Sequence, residues 1–393
     1  MATYDLDRTE LNHLLSPNVD PGARAAVVDY LLKHGSFDDD DDSRHHGRHD
    51  HGDHGRHGDH HHHHHHHHDD PTVKVQISDG SQPLDPHAEV LNLTTATNTV
   101  TTDAALKVIV ENVSGDANLT VHGDHDVMVV TGGGNDYVSL QDSGDDVVMT
   151  GAGNDTVHGG DGADSIYGGA GNDSLVAGTG DHQLLSGGDG NDTLIGGDGS
   201  HSTLSGGNGN DLLVAGNGDQ QVLYGGGGND TLIGGAGSHD SLYGSNGSDS
   251  LQAGTGDHQL LSGGDGNDTL YGGDGSYDTL MGGNGSDLMY AGHGAHQLLV
   301  GGNGNDTMFA GTSGDTLNGG GGNDLFHLTG HHISDTIDGG NGNDTVQFDS
   351  YSSHDVASLH THHGQTVIEF KDGQVVTVTH IENLVFTDGT QHL

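Results

Sequence analysis

Twelve aspartates recur through the middle of the chain at nearly constant spacing: Asp136, Asp155, Asp173, Asp192, Asp211, Asp230, Asp249, Asp268, Asp287, Asp306, Asp324 and Asp344. The interval is 18 to 20 residues and usually 19. Each aspartate closes a Gly-Gly-x-Gly-Asn/Ser-Asp run or a close variant of it and precedes a short apolar stretch. A carboxylate is a hard anionic donor, and glycines let a tight turn adopt positive φ and aim its carbonyls at one point. Oxygen donors of both kinds in a fixed repeat are suited to Ca2+, which prefers them to nitrogen or sulfur. The expected ligand set adds backbone carbonyls from Gly151, Gly153, Gly169, Gly171, Gly188, Gly190, Gly207, Gly209, Gly226, Gly228, Gly247, Gly264, Gly266, Gly283, Gly285, Gly302, Gly304, Gly320 and Gly322. Twelve markers leave eleven gaps in which an ion is expected.

A second series lies between the first: Asp146, Asp164, Gln183, Ser202, Gln221, Asp240, Gln259, Asp278, Gln297 and Asp315. Most of its turns are one residue longer, and the marker drifts from Asp to Gln or Ser in a super-repeat of 38 residues. Calcium binding is therefore in doubt on this side. The inserted residue is His182, His201, Gln220, His239, His258, Tyr277 or His296, each 19 after the last. At a strand spacing of about 4.8 Å these side chains form a ladder along one edge. His182, His201, His239, His258 and His296 are candidate ligands for a soft divalent metal, with an exposed polar turn as the plain alternative.

Two turns per period require two short strands per coil. Leu194, Leu213, Leu232, Leu251 and Leu270 occupy one place after each marker and are expected to stack inward as a narrow core. The outward neighbours Ile195, Val214, Ile233, Tyr271, Tyr290 and Phe309 would line one face, either as an interaction surface or as ordinary cross-strand packing. Composition fits so thin a core: 72 Gly, no Trp and 30% hydrophobic residues in 393. There are 58 acidic residues against 9 Lys and Arg, with no Lys or Arg between Lys107 and Lys371. Such a field repels nucleic acid and anionic lipid and attracts cations. Cysteine is absent, so no disulfide compensates for the small core. The expected consequence is a chain that folds only when metal is bound.

The repeated run resembles the nonapeptide GGxGxDxUx of the RTX (repeats-in-toxin) family, a calcium-binding parallel β-helix signature. The resemblance covers slightly more than half of the chain and is specific because so many copies stand in tandem. It implies an all-β fold, a right-handed parallel β-roll, with Ca2+ held between successive turns by carbonyls and the Asp carboxylate. It also implies an uncleaved carboxyl-terminal signal read by a type I secretion machinery, and hence an extracellular location, free or at the cell surface.

Around the roll, residues 1–35 read as a helical segment with its main helix near 21–34, started by Asp20 and Pro21, and a weaker one from Thr9 to Leu15. Residues 36–71 are an Asp/His-rich linker with a nine-residue His60 to His68 run, chemistry suited to Zn2+, Ni2+ or Cu2+ or to a solvated spacer. Residues 72–130 alternate as strands and are expected to cap the roll at 131–350. Residues 351–393 read as a carboxyl-terminal β cap with a hairpin at Lys371-Asp372-Gly373. No amino-terminal signal peptide and no membrane span is expected. No HExxH or G-x-S-x-G occurs, and the segment before the roll is too short for a catalytic domain, so no enzyme is expected. The reading is a secreted structural, adhesive or matrix protein that binds calcium and can self-assemble. The other class is a binding module for a transition metal, a partner protein or ice, although Thr193, Thr231, Thr269 and Thr307 recur only on alternate coils.

Overall fold

The computed structural model describes residues 3–6, 11, 14–15, 19, 21–33, 73–79, 83–111, 113–311, 314–329 and 334–393. The linker with its His run, Asp20 and most of the weaker amino-terminal helix lie outside the described residues, although Leu11, Leu14 and Leu15 are helical.

Two sheets face each other and are wound from one chain. In the middle of the roll the first sheet takes a six-residue strand from each coil, as in Leu184–Asp189 and Thr203–Asn208. The second takes three residues, as in Thr193–Ile195 and Leu212–Val214. Successive coils pair in parallel with no register slip: Leu185 lies beside Leu204, and Leu194 beside Leu213. Fixed register follows from the repeat, because a one-residue slip would turn every leucine to solvent. Both inward columns are fully buried, Ile166, Leu185, Leu204 and Leu223 from one sheet and Leu175, Leu194, Leu213 and Leu232 from the other. Each coil thus contributes one inward aliphatic residue from each sheet and little else.

The 72–130 segment differs from a separate cap. Its strands Val90–Leu93, Val108–Glu111 and Met128–Val130 pair in parallel with one another and then with Val147–Ala152, so they are the first coils of the same roll. All three are buried along their whole length. The reason is the helix Pro21–Lys33. Leu11, Leu15, Val19, Ala23, Val27, Val28 and Leu31 form a second core with the outward residues Val90, Val108, Val110, Met128 and Val130. A strand that reads Thr3–Leu6 pairs antiparallel with Val73–Ser78 and closes that end of the sheet, a feature absent from the sequence reading.

At the other end the coils widen around rings. Phe348 meets Phe370 and Phe386 at 5.3 and 5.0 Å, and Tyr351 stacks on Phe370 at 4.0 Å. The hairpin at Lys371-Asp372-Gly373 joins Gln365–Phe370 to Val375–Thr379, as expected. A further strand, Val356–His362, pairs ahead of it. Val375–Thr379 rejoins the first sheet beside Thr336–Asn341, and Asn383–Phe386 rejoins the second beside Thr345–Phe348.

Candidate metal centre

The twelve marker aspartates stand in one column on the first edge, where the chain passes from the six-residue to the three-residue sheet. Each is almost wholly buried, from 0% exposed at Asp344 to 3% at Asp173 and Asp211. One carboxylate oxygen is used by the backbone: the amide of Asp192 donates to Asp211 Oδ1 at 2.8 Å, that of Asp211 to Asp230 Oδ1 at 2.8 Å, and so on. The row ends where the Asp344 amide donates to Glu382 Oε2 at 2.7 Å. The preceding Asn/Ser column supports it in the opposite sense, with the amide of Asn191 donating to Asn172 Oδ1 at 2.7 Å.

The other oxygen has no partner. Oδ2 of all twelve markers is buried without a hydrogen bond. An unpaired buried carboxylate oxygen costs several kcal/mol, on the order of the desolvation of a charged group. Burial, and then the neighbouring aspartates, push the carboxyls of Asp173, Asp192, Asp211, Asp230, Asp249 and Asp268 up to about 6, and that of Asp306 to about 7. No Lys or Arg stands between Lys107 and Lys371 to balance them. A hard cation seated among carbonyls does so, and these residues fit Ca2+.

The glycines explain the geometry, and one of their columns was missed by the sequence reading. Gly188 and Gly190 have φ of 118° and 141°, as expected of the second and third glycines of the run. A Cβ on Gly190 would strike the carbonyl of Gly171 on the coil before, so these carbonyls line the turn at backbone contact. The first glycine does something different. A Cβ on Gly187 would strike Asp192 Oδ2, and the same holds at Gly206 with Asp211 and at Gly225 with Asp230. The first glycine is therefore the floor of the carboxylate site. Its doubled glycine was visible in the motif, but the direction of the Asp side chain was not. In the two earliest coils threonine holds this position: Thr131 Oγ1 donates to the Thr150 carbonyl at 3.0 Å and Thr150 Oγ1 to that of Gly168 at 2.9 Å. Hydroxyls thus occupy the approach to Asp136 and Asp155.

At four of its turns the second edge carries a donor of its own. Gln183, Gln221, Gln259 and Gln297 are buried, and each Nε2 donates to a carbonyl of the coil before, on Gly162, Gly199, Gly237 and Gly275 respectively, at 2.5 to 2.7 Å. Gln297 Oε1 in turn accepts the Asp278 amide at 2.8 Å. The amide group places an N–H donor where the first edge has only acceptors. Ala177, Ala215, Ala253 and Ala291 stand six residues before these glutamines, whereas Gly196, Gly234 and Gly272 precede Ser202, Asp240 and Asp278. Asp240 and Asp278 keep a buried, partnerless Oδ2, and burial pushes both carboxyls up to about 6.

The inserted residues all adopt left-handed backbone: φ is 61° at His182 and 63° at His201, and it stays between 61° and 65° through Gln220, His239, His258, Tyr277 and His296. Their rings stack in parallel pairs, His182 on His201 at 5.0 Å, His239 on His258 at 5.1 Å, and His258 on Tyr277 at 5.3 Å. A metal lies close to the plane of each imidazole that binds it, and rings stacked within 7° of parallel, as in His182/His201 and His239/His258, offer no point near both planes. Among the described residues no group of three His, Asp or Glu side chains stands ready as a metal site, so calcium must take much of its shell from carbonyls.

The outward row of the second sheet is as expected, with Ile195, Val214 and Ile233 in register and Tyr271, Tyr290, Phe309 and His327 stacked at 4.8, 4.7 and 4.4 Å. A groove of about 1160 Å³ runs beside these rings over Gly234, Ala253, Gly272 and Ala291.

The family model of the RTX calcium-binding nonapeptide repeat matches residues 141–175, 177–200, 201–219, 222–238, 237–257, 254–276, 277–295, 298–329 and 334–349, just over half of the chain. The chain belongs to the RTX calcium-binding repeat family. Among solved structures, it is similar to a hyperactive, Ca2+-dependent, β-helical antifreeze protein from an Antarctic bacterium, with 20% identity and a TM-score of 0.44 over 81% of this chain and 98% of that one. No curated protein matches it. The RTX assignment accounts for the first-edge column, and the glutamine turns are where this chain departs from the family's repeat.

Proposed function

We propose that this protein is a secreted scaffold that folds when Ca2+ fills its first edge and that serves a structural or adhesive role without catalysis. The observation that carries the reading is the column of buried, partnerless Asp Oδ2 atoms in a stretch with no Lys or Arg between Lys107 and Lys371. Metal-free, these carboxylates repel one another across each gap; with Ca2+ between them, each ion links two coils, and binding energy becomes folding energy. Asp173 through Asp344 with their first glycines are the core of the site, while the threonine-lined rungs at Asp136 and Asp155 depend on the ion least. Glutamine turns take no calcium in this reading.

Dependence on calcium also fits passage through a type I secretion channel, since a chain unfolded at low calcium can be threaded and then fold outside. Ice binding asks for a regular outward row, and here it runs Thr193, Leu212, Thr231, Ser250, Thr269, Leu288, Thr307, matching only on alternate coils. Far-ultraviolet circular dichroism of the full chain, first in chelator and then in millimolar Ca2+, tests the central claim. A large gain of β signal on adding calcium is expected; an equally strong β spectrum in chelator would overturn it.

A further inference from the structure

The outer face of the second sheet carries a groove that lies away from the marker aspartates. It encloses about 1160 Å³ and runs along the roll over Ala215, Gly234, Ala253, Gly272, Ala291 and Ala310, each 19 residues after the last. Six rungs at a strand spacing of about 4.8 Å make it about 24 Å long. Every coil crosses it in the same order. Tyr271 stands on one side, Gly272 and Gly273 form the floor, and Asp274 stands on the other side; the next coil repeats this with Tyr290, Ala291, Gly292 and His293. Ala253 and Ala291 are buried and the glycines have no side chain, so nothing rises from the floor.

The two walls differ in chemistry. On one, Tyr271 stacks on Tyr290 at 4.8 Å and Tyr290 on Phe309 at 4.7 Å, within 12° of parallel. Rings stacked along the roll turn their edges and phenol hydroxyls to the groove. The stack stops at Gln252, the strand neighbour of Tyr271, so one face of Tyr271 meets a polar side chain instead of a ring, and Tyr271 is 40% exposed. On the other wall Asp274 Oδ1 lies 3.0 Å from His293 Nδ1, with both side chains mostly exposed, and Thr255 stands one coil before. The floor's amides are already paired from coil to coil: that of Ala253 donates to the Tyr271 carbonyl at 2.8 Å, that of Gly272 to Tyr290 at 2.7 Å and that of Ala291 to Phe309 at 2.9 Å.

We propose that this groove binds one strand of a neutral, unbranched polysaccharide lying along the roll, its sugar rings against Tyr271 and Tyr290 and its hydroxyls at Asp274 and His293. The inference rests on the calcium-folded, adhesive reading above and gives that role its class of partner. An extended peptide is held through the free backbone groups of a sheet edge, and on this floor those groups pair with each other. Anionic polymers are repelled by a stretch with no Lys or Arg between Lys107 and Lys371. A single small molecule fills one rung and leaves the rest empty. A linear glycan repeats along its length as the walls do. Its hydroxyls pair with the carboxylate, the imidazole and the phenols, and its C–H surface packs on the aromatic side chains. The walls exist only when the coils are stacked, so binding requires the calcium-folded form.

The test is affinity electrophoresis of the full chain in millimolar Ca2+ through gels holding a soluble β-glucan, a mannan or a xylan, with alginate as the anionic comparison and polylysine as the basic one. Retardation by at least one neutral polymer is expected, and it should disappear in chelator. Replacing both rings, Tyr271→Ala with Tyr290→Ala, should weaken that binding about tenfold or more, and Asp274→Ala should weaken it by a smaller factor. These side chains point outward, so the circular dichroism of the variants in calcium should match wild type. Tyr224→Ala, on the outer face of the first sheet, should bind as wild type does. A chain that folds with calcium but is retarded by no neutral polymer, or ring variants that bind like wild type, would overturn the groove and leave the calcium reading intact. Retention by polylysine alone, lost in the ring variants, would overturn it in favour of a basic peptide. A chain that gains no β signal with calcium would overturn both readings.

Discussion

The two edges of the roll hold the same backbone turn together by different chemistry. On the first edge, Asp211 presents one oxygen to an amide and leaves the other bare. On the second, Gln221 and Gln259 reach the same kind of carbonyl with an N–H. A carboxylate demands an external cation; a carboxamide brings its own donor. The first edge therefore depends on the medium at every rung, whereas the second does so only where an aspartate remains, within coils that share every strand.

Protons should have the largest effect, because they act on every first-edge rung at once and on the second edge wherever an aspartate remains, as at Asp240 and Asp278. The folded-state carboxyls are raised to about 6 at Asp192, Asp211 and Asp230 by burial and by their neighbours, against about 3.9 for an unfolded aspartate. The folded state therefore binds more protons than the unfolded one, and without calcium its stability is fully present below about pH 4 and lost as pH rises through about 6. In chelator, β structure should grow as pH falls from 8 to 5. With calcium present the dependence reverses, since protons then compete with the ion. A chelated spectrum that does not change over this range would contradict the first-edge account.

Single substitutions sharpen the contrast further. Gly206→Ala puts a methyl onto Asp211 Oδ2, and should destabilise the calcium form by about 3 kcal/mol and remove an ion. Ala215→Gly, at the matching place on the second edge, should cost no more than about 1 kcal/mol. Equal effects in thermal melts at saturating calcium would erase the distinction. Gln259→Leu strands the Gly237 carbonyl, at about 2 kcal/mol, and the loss should not vary with calcium concentration. A loss that calcium repairs would mean that the glutamine turns also hold ions. Smallest of all should be His258→Gly: relief of left-handed backbone is offset by the lost ring stacks with His239 and Tyr277, leaving stability, read from thermal melts, within about 0.5 kcal/mol of wild type.

Much of this was legible in the repeat itself. The 19-residue period, the inward leucines and the acidic column follow from spacing, because each coil sees only its neighbours and what holds for one holds for all. The ends were less legible. Val108–Glu111 and Met128–Val130 read as cap strands, and only the helix lying on their outer face explains why they are apolar on both sides. Gly187 and its equivalents looked like turn glycines, yet their role depends on where Asp192 Oδ2 points. The histidine insertions were plain as a row, but their shared left-handed backbone and parallel stacking are properties of the turn.

By itself, then, the sequence determined the calcium chemistry, the two-sheet coil and the asymmetry of its edges, since these are set by residue type at fixed interval. Tertiary structure decided which oxygen of each aspartate is spent and which is idle, and that glutamine amides donate to carbonyls of the coil before. The physical reason is that an oxygen's partner is chosen by direction over a few ångströms between coils, and a linear repeat carries spacing without direction.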